Sequence, residues 1–99
     1  MKGESEDASV VRRGDVIDRL TTAAGTVVLV AAPDGHRVVR LSEMGVAVLD
    51  MVSVSPRVSL DELTAGLIRR FGPPDGAPRS AAQRVVADLA GQHVVVAES

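Results

Sequence analysis

Apolar residues in the first part of the chain follow the two-residue repeat of β-strands. This part contains Val16–Leu20, the β-branched run Thr26–Val30 and the segment His36–Leu41. The segment 32–35, with the sequence Ala-Pro-Asp-Gly, has proline and glycine where a tight turn requires their backbone angles. We therefore predict three short strands, of which the last two form a hairpin.

The apolar spacing changes to the 3.6-residue repeat of helices after Leu41. Ser42 can cap a first helix, and the capping box from Ser59 to Glu62 begins a second. A third helix is predicted over residues 78–92. The expected inward residues are Met44, Ala47, Val48 and Met51 in the first helix, Leu60, Leu63, Leu67, Ile68 and Phe71 in the second, and Ala82, Val85, Val86 and Leu89 in the third.

This order of elements predicts an α+β fold: a winged helix-turn-helix-like domain with a three-stranded antiparallel sheet followed by three helices. A length of 99 residues fits one domain. Residues 1–9 are polar and acidic, so we predict a disordered tail there and a single domain over residues 10–99. The run Val94–Val96 is expected to end the chain as an apolar extension.

Composition excludes several classes of site. The chain has no cysteine, which removes disulfides, thiolate metal sites and thiol nucleophiles. Its formal net charge of -2 and its single aromatic residue, Phe71, disfavour nucleic-acid binding. The longest apolar run, Val27–Ala32, is far shorter than the roughly 20 residues of a membrane-spanning helix, and the acidic start does not resemble a signal peptide. We expect a cytoplasmic protein without membrane association.

No pattern of catalytic residues is present in the sequence. His36 and His93 are expected at a turn edge and at a helix end, and Asp61 and Glu62 in the first turn of a helix, where they interact with its dipole. The segment 72–76 is rich in glycine and proline but lacks the lysine of a phosphate-binding loop. We expect no enzyme activity, no cofactor and no metal, and therefore a binding module.

The order and spacing of several segments resemble the PqqD-like family. Members of that family have a strand that ends in a Leu-Asn or Leu-Ser step, here Leu41-Ser42, followed by a helix with a small residue three positions on. The resemblance extends over about residues 10–96. The segments that carry it are 25–49, 59–63, 71–72, 85–89 and 93–95.

This resemblance implies a standalone recognition element of the lasso-peptide type. Such a domain binds the leader segment of a ribosomally synthesised, post-translationally modified precursor peptide and delivers it to a maturation enzyme, such as a leader peptidase, a cyclase or a radical enzyme. The leader would add as a strand to the third strand, about residues 36–41, in a cleft against the third helix, about residues 78–92. The residues assigned to this cleft are Arg37, Val38, Val39 and Arg40 on the strand and Ala81, Arg84, Val85 and Asp88 on the helix.

Other interpretations stay open at this stage. A small winged-helix DNA-binding regulator is the main alternative, although the six residues 72–77 exceed the turn of about 3–4 residues that a helix-turn-helix uses. Arg84 and Asp88 could simply pair along one helix face. Arg37 and Arg40 could protect an edge strand from aggregation. The exposed edge could also pair with a second copy of the chain.

Overall fold

The computed structural model describes residues 10–98, and the predicted tail, residues 1–9, lies outside them. The fold is α+β, and the predicted three-stranded antiparallel sheet followed by three helices is confirmed. The elements are β1 (Val10–Arg13), β2 (Val16–Thr22), β3 (Gly25–Ala32), β4 (Gly35–Leu41), α1 (Glu43–Val54), β5 (Val58–Ser59), α2 (Leu60–Phe71), α3 (Pro78–Gly91) and β6 (Val95–Glu98).

The predicted sheet is the antiparallel meander β2-β3-β4. Two-residue turns join its strands, since Thr22 pairs with Gly25 and Ala32 pairs with Gly35. Its core face carries Val28 and Val30, which are at most 1% exposed. β4 is an edge strand, and no other strand within residues 10–98 pairs with its open side.

A second sheet, of order β5-β1-β6, joins the two ends of the described chain. The apolar extension expected at Val94–Val96 contains the start of a strand that the sequence analysis does not predict, because β6 begins at Val95 and pairs antiparallel with β1. Val11 of β1 and Val95 of β6 are at most 1% exposed. Their burial against the helices explains why these short segments form strands, although each is only four residues long.

Gly14 connects the two sheets. Its N–H donates to the carbonyl of Val94 at 2.9 Å, and the N–H of Asp15 donates to the carbonyl of His93 at 3.0 Å. The Asp15 carbonyl in turn accepts from Ala31 of β3. A side chain at Gly14 would place its Cβ 2.4 Å from the His93 carbonyl oxygen, so this close backbone approach requires glycine.

Both predicted helix caps are present. The Ser42 hydroxyl accepts from Gly45 N–H at 3.0 Å, and Ser59 and Glu62 form the reciprocal capping box. The hydrogen bond from the Ser59 backbone N–H, and then the Ser59 side chain, lower the pKa of the Glu62 carboxyl. The sequence therefore places the starts of α1 and α2 correctly.

The helices bury somewhat different residues from those expected. In α1, Leu49 and Val52 are buried, whereas Met44 and Met51 are half-buried. More of α1 is buried than expected because the helix packs against β1 of the second sheet, against β4 of the meander and against the other two helices. The expected inward residues that are buried are Ala47, Val48, Leu60, Leu63, Leu67, Ala82, Val86 and Leu89, and those that are half-buried are Met44, Met51, Ile68, Phe71 and Val85.

His93 occupies a left-handed position at the end of α3, with φ 66°. The flanking hydrogen bonds, from His93 N–H to Ala90 and from Val94 N–H to Leu89, are those of a Schellman motif. Glycine avoids most of the steric cost of this conformation, so His93→Gly should stabilise the protein by about 1 kcal/mol in urea unfolding. Gln92→Gly is the control: its φ of -103° needs no glycine, and we expect a loss of stability. Equal effects of the two changes would contradict this explanation.

Candidate functional site

The open side of β4 presents unpaired backbone groups. Because a two-residue turn joins β3 to β4, Ala32 and Gly35 exchange both backbone hydrogen bonds, and such pairs alternate along the ladder. Counting from Gly35, the N–H and C=O groups of His36, Val38 and Arg40 point away from β3. This strand edge can accept an extended chain through alternate backbone groups.

Side chains on β4 also alternate, which corrects the expected strand side of the cleft. Val39 faces the core and is 4% exposed, so its side chain offers nothing to a ligand. Arg37 lies on the same face of the strand, two residues away, whereas Val38 and Arg40 lie on the opposite face. Val38 is 68% exposed. The four residues therefore cannot all contribute side chains to one cleft.

The two arginines of β4 are already engaged in local contacts. Arg37 Nη2 lies 3.6 Å from the Asp34 carboxylate in the preceding turn. Arg40 Nη1 donates to the Ala24 carbonyl at 3.1 Å, which holds its side chain across the outer face of the sheet. Arg40 therefore contributes mainly its outward-pointing backbone to the strand edge.

A groove of about 340 Å³ lies between the end of β4 and α3. It brings together four of the residues assigned to the cleft from sequence: Arg40, Arg84, Val85 and Asp88. The other residues of its lining are not among those predicted from sequence, and they come from the β4–α1 junction and from the end of α3. These are Leu41, Ser42, Gly45, Leu89 and Gln92.

Ala81 does not line this groove. It lies one turn earlier on α3, in a neighbouring apolar pocket of about 100 Å³ between the end of α2 and the start of α3. Phe71 and Met44 line the same pocket, and Val85 lines both the pocket and the groove. The expected position of Ala81 is thus displaced along the helix, because consecutive turns of α3 face different neighbours.

Arg84 is available for binding. Within residues 10–98 it forms no ion pair with Asp88, whose Oδ2 instead accepts from Gln92 Nε2 at 3.5 Å. The structure therefore does not contain the simple helix-face pair. The groove presents an exposed guanidinium and an exposed carboxylate four residues apart, with Val85 between them.

Across residues 10–98, no group of three or more His, Asp or Glu side chains is arranged to hold a metal ion. Every buried side-chain nitrogen or oxygen in this part of the chain has a hydrogen-bond partner. No helix in the same range is long and apolar enough to cross a membrane.

Comparison of the chain with protein-family models, with curated protein sequences and with solved structures found no match in any of the three.

Proposed function

We propose that this protein binds the leader segment of a ribosomally synthesised precursor peptide by strand addition to β4 and delivers it to a maturation enzyme. The observation that supports this function best is the open edge of β4, which at Arg40 borders the groove that contains Arg84, Val85 and Asp88. The resemblance of the sequence to the PqqD-like family suggests the same function. We also propose that the domain has the winged-helix arrangement of that family.

The chemistry of this edge suits an extended peptide. The backbone groups of His36, Val38 and Arg40 would bond to the added strand and would supply affinity whatever its sequence. Alternate side chains of that strand would point towards α3 and enter the groove. Val85 would contact an apolar side chain, while Arg84 and Asp88 would select charged neighbours of opposite sign.

The DNA-binding alternative has less support. Its recognition helix would be α3, but Arg79 at the start of that helix forms an ion pair with Asp61 of α2. Asp88 would face the phosphates with the wrong charge, and the net charge of the chain is -2. Few positively charged side chains are therefore available to neutralise the phosphates of a nucleic acid.

The function is tested by fluorescence polarisation with a labelled leader peptide from the precursor encoded beside this gene. A scrambled leader and a DNA duplex serve as controls. Saturable binding of the native leader alone, at micromolar concentration or below, is the expected result. Salt-sensitive binding of the duplex without leader binding would instead identify a DNA-binding regulator.

Reversal of charge at Arg84 should weaken binding of a leader with acidic residues. We expect Arg84→Glu to cost about 1–2 kcal/mol, roughly 5- to 30-fold in Kd, and added salt to shrink the difference. Arg69→Glu is the matched control, since it makes the same charge change on an exposed residue of α2 that does not line the groove. An equal effect of both variants, or a salt-independent one, would remove Arg84 from the binding site.

A further inference from the structure

The outer face of the β2-β3-β4 meander is apolar at its centre. The register places Leu20 beside Val27, and Leu29 beside Val38, on the face opposite the core. Leu20 is 60% exposed and Val38 is 68% exposed. An antiparallel sheet that covers a core with one face usually presents polar residues on the other. This apolar face is therefore a candidate contact surface.

Two opposite charges lie at diagonal corners of this face. Asp18 on β2 pairs with Leu29, and Arg40 on β4 pairs with Val27. Asp18 Oδ1 accepts from the Arg19 backbone N–H at 2.8 Å, and Arg40 donates to the Ala24 carbonyl. Neither side chain has an ion-pair partner among residues 10–98.

We propose that a second copy of this chain packs on this face, related by a two-fold axis in the contact plane. The other two corners are Leu20 and Val38. A two-fold rotation about the diagonal from Leu20 to Val38 brings the Arg40 corner of one copy onto the Asp18 corner of the other. The contact then contains two Arg40–Asp18 ion pairs around an apolar centre, with the strands of the two sheets steeply crossed.

The charge pattern favours this face-to-face contact over pairing of the β4 edges. An antiparallel pair of β4 edges centred on Val38 would place Arg37 diagonally across from Arg37 of the second copy, and Arg40 opposite its His36. That edge contains basic side chains and no acidic one between His36 and Leu41. Like charges across a strand pair are destabilising. The face-to-face dimer also leaves both β4 edges open to a peptide.

The size of the face predicts a weak dimer. Three strands about 4.8 Å apart and about four residues along each strand form a patch of roughly 14 by 14 Å. The area of this patch is well below the roughly 800 Å² that each partner buries in a standard stable interface. We therefore expect a dissociation constant on the order of hundreds of micromolar and exchange between monomer and dimer.

Sedimentation velocity between about 20 µM and about 1 mM tests this dimer through a charge exchange. The weight-average sedimentation coefficient of the unmodified chain should rise with concentration, whereas Asp18→Arg and Arg40→Asp should each remain monomeric. An equimolar mixture of the two variants should associate again, because each variant supplies the charge that its partner has lost. Thermal unfolding of each variant confirms that both remain folded.

Two results would overturn the dimer. The first is a monomeric unmodified chain over the whole concentration range. The second is association of the unmodified chain that both variants retain, or that their mixture fails to restore, because the contact would then lie elsewhere. Leader binding is measured separately and at concentrations at which the chain is monomeric. Failure of the dimer is therefore distinguishable from failure of the proposed function.

Discussion

Replacement of Val38 by proline should weaken leader binding by about 10- to 100-fold and leave the fold intact. The Val38 N–H points to the open side of β4, so its loss breaks no bond to β3. An added strand, however, would lose a backbone donor and would leave one of its own carbonyls unpaired, which costs about 1–3 kcal/mol. Polarisation titration measures the affinity, and circular dichroism checks the fold.

Two further variants make the Val38→Pro result specific. Val38→Thr keeps the backbone donor and the β-branched shape, so binding should change by less than about threefold. Val39→Pro removes a backbone N–H that bonds to β3 and replaces a side chain that packs in the core. This variant should therefore destabilise the protein. Unchanged affinity of Val38→Pro for the leader would reject strand addition, and equal losses in Val38→Pro and Val38→Thr would indicate a side-chain contact instead.

Substitution of Gly14 by alanine should lower the free energy of unfolding by about 3 kcal/mol. The new Cβ would lie 2.4 Å from the His93 carbonyl oxygen and 2.9 Å from the Val94 carbonyl carbon. Both are backbone atoms that are held in the contact between the sheets, so they cannot move without breaking the hydrogen bonds of Gly14 and Asp15. Urea unfolding measures the loss.

Gly66→Ala is the matched control for Gly14→Ala. Its new Cβ would lie even closer to a neighbour, 2.1 Å from Met51 Cε, but that atom is the end of a flexible side chain at a groove. Alanine also favours the helix by about 1 kcal/mol over glycine. We expect stability within about 1 kcal/mol of the unmodified protein, and equal losses at Gly14 and Gly66 would contradict the distinction between backbone and side-chain contacts.

The local parts of the fold could be predicted from the sequence because local chemistry determines them. The capping box at Ser59 and Glu62 and the turn at residues 32–35 each depend on neighbouring residues, and both occur as predicted. The second sheet depends on pairing of Val11 with Ala97, more than eighty residues apart. Each strand is too short to be distinguished from an apolar loop by its own pattern.

The candidate site was predicted in outline and not in detail. The resemblance indicated β4 and α3, and the structure brings Arg40, Arg84, Val85 and Asp88 to one groove. The strict alternation of a strand could have shown that Arg37 and Val39 share the core-side face. The displacement of Ala81 into the neighbouring pocket could not be predicted, because it depends on how α3 packs against α2.

Amide hydrogen exchange of β4, followed by NMR with and without the leader peptide, tests strand addition most directly. In the free protein the amides of Arg37, Val39 and Leu41 should exchange slowly, because they bond to β3, and those of His36, Val38 and Arg40 should exchange quickly. Among the amides of β4, saturation with the leader should slow exchange only at His36, Val38 and Arg40. Leader binding that leaves the exchange rates of all three amides unchanged would contradict strand addition to β4.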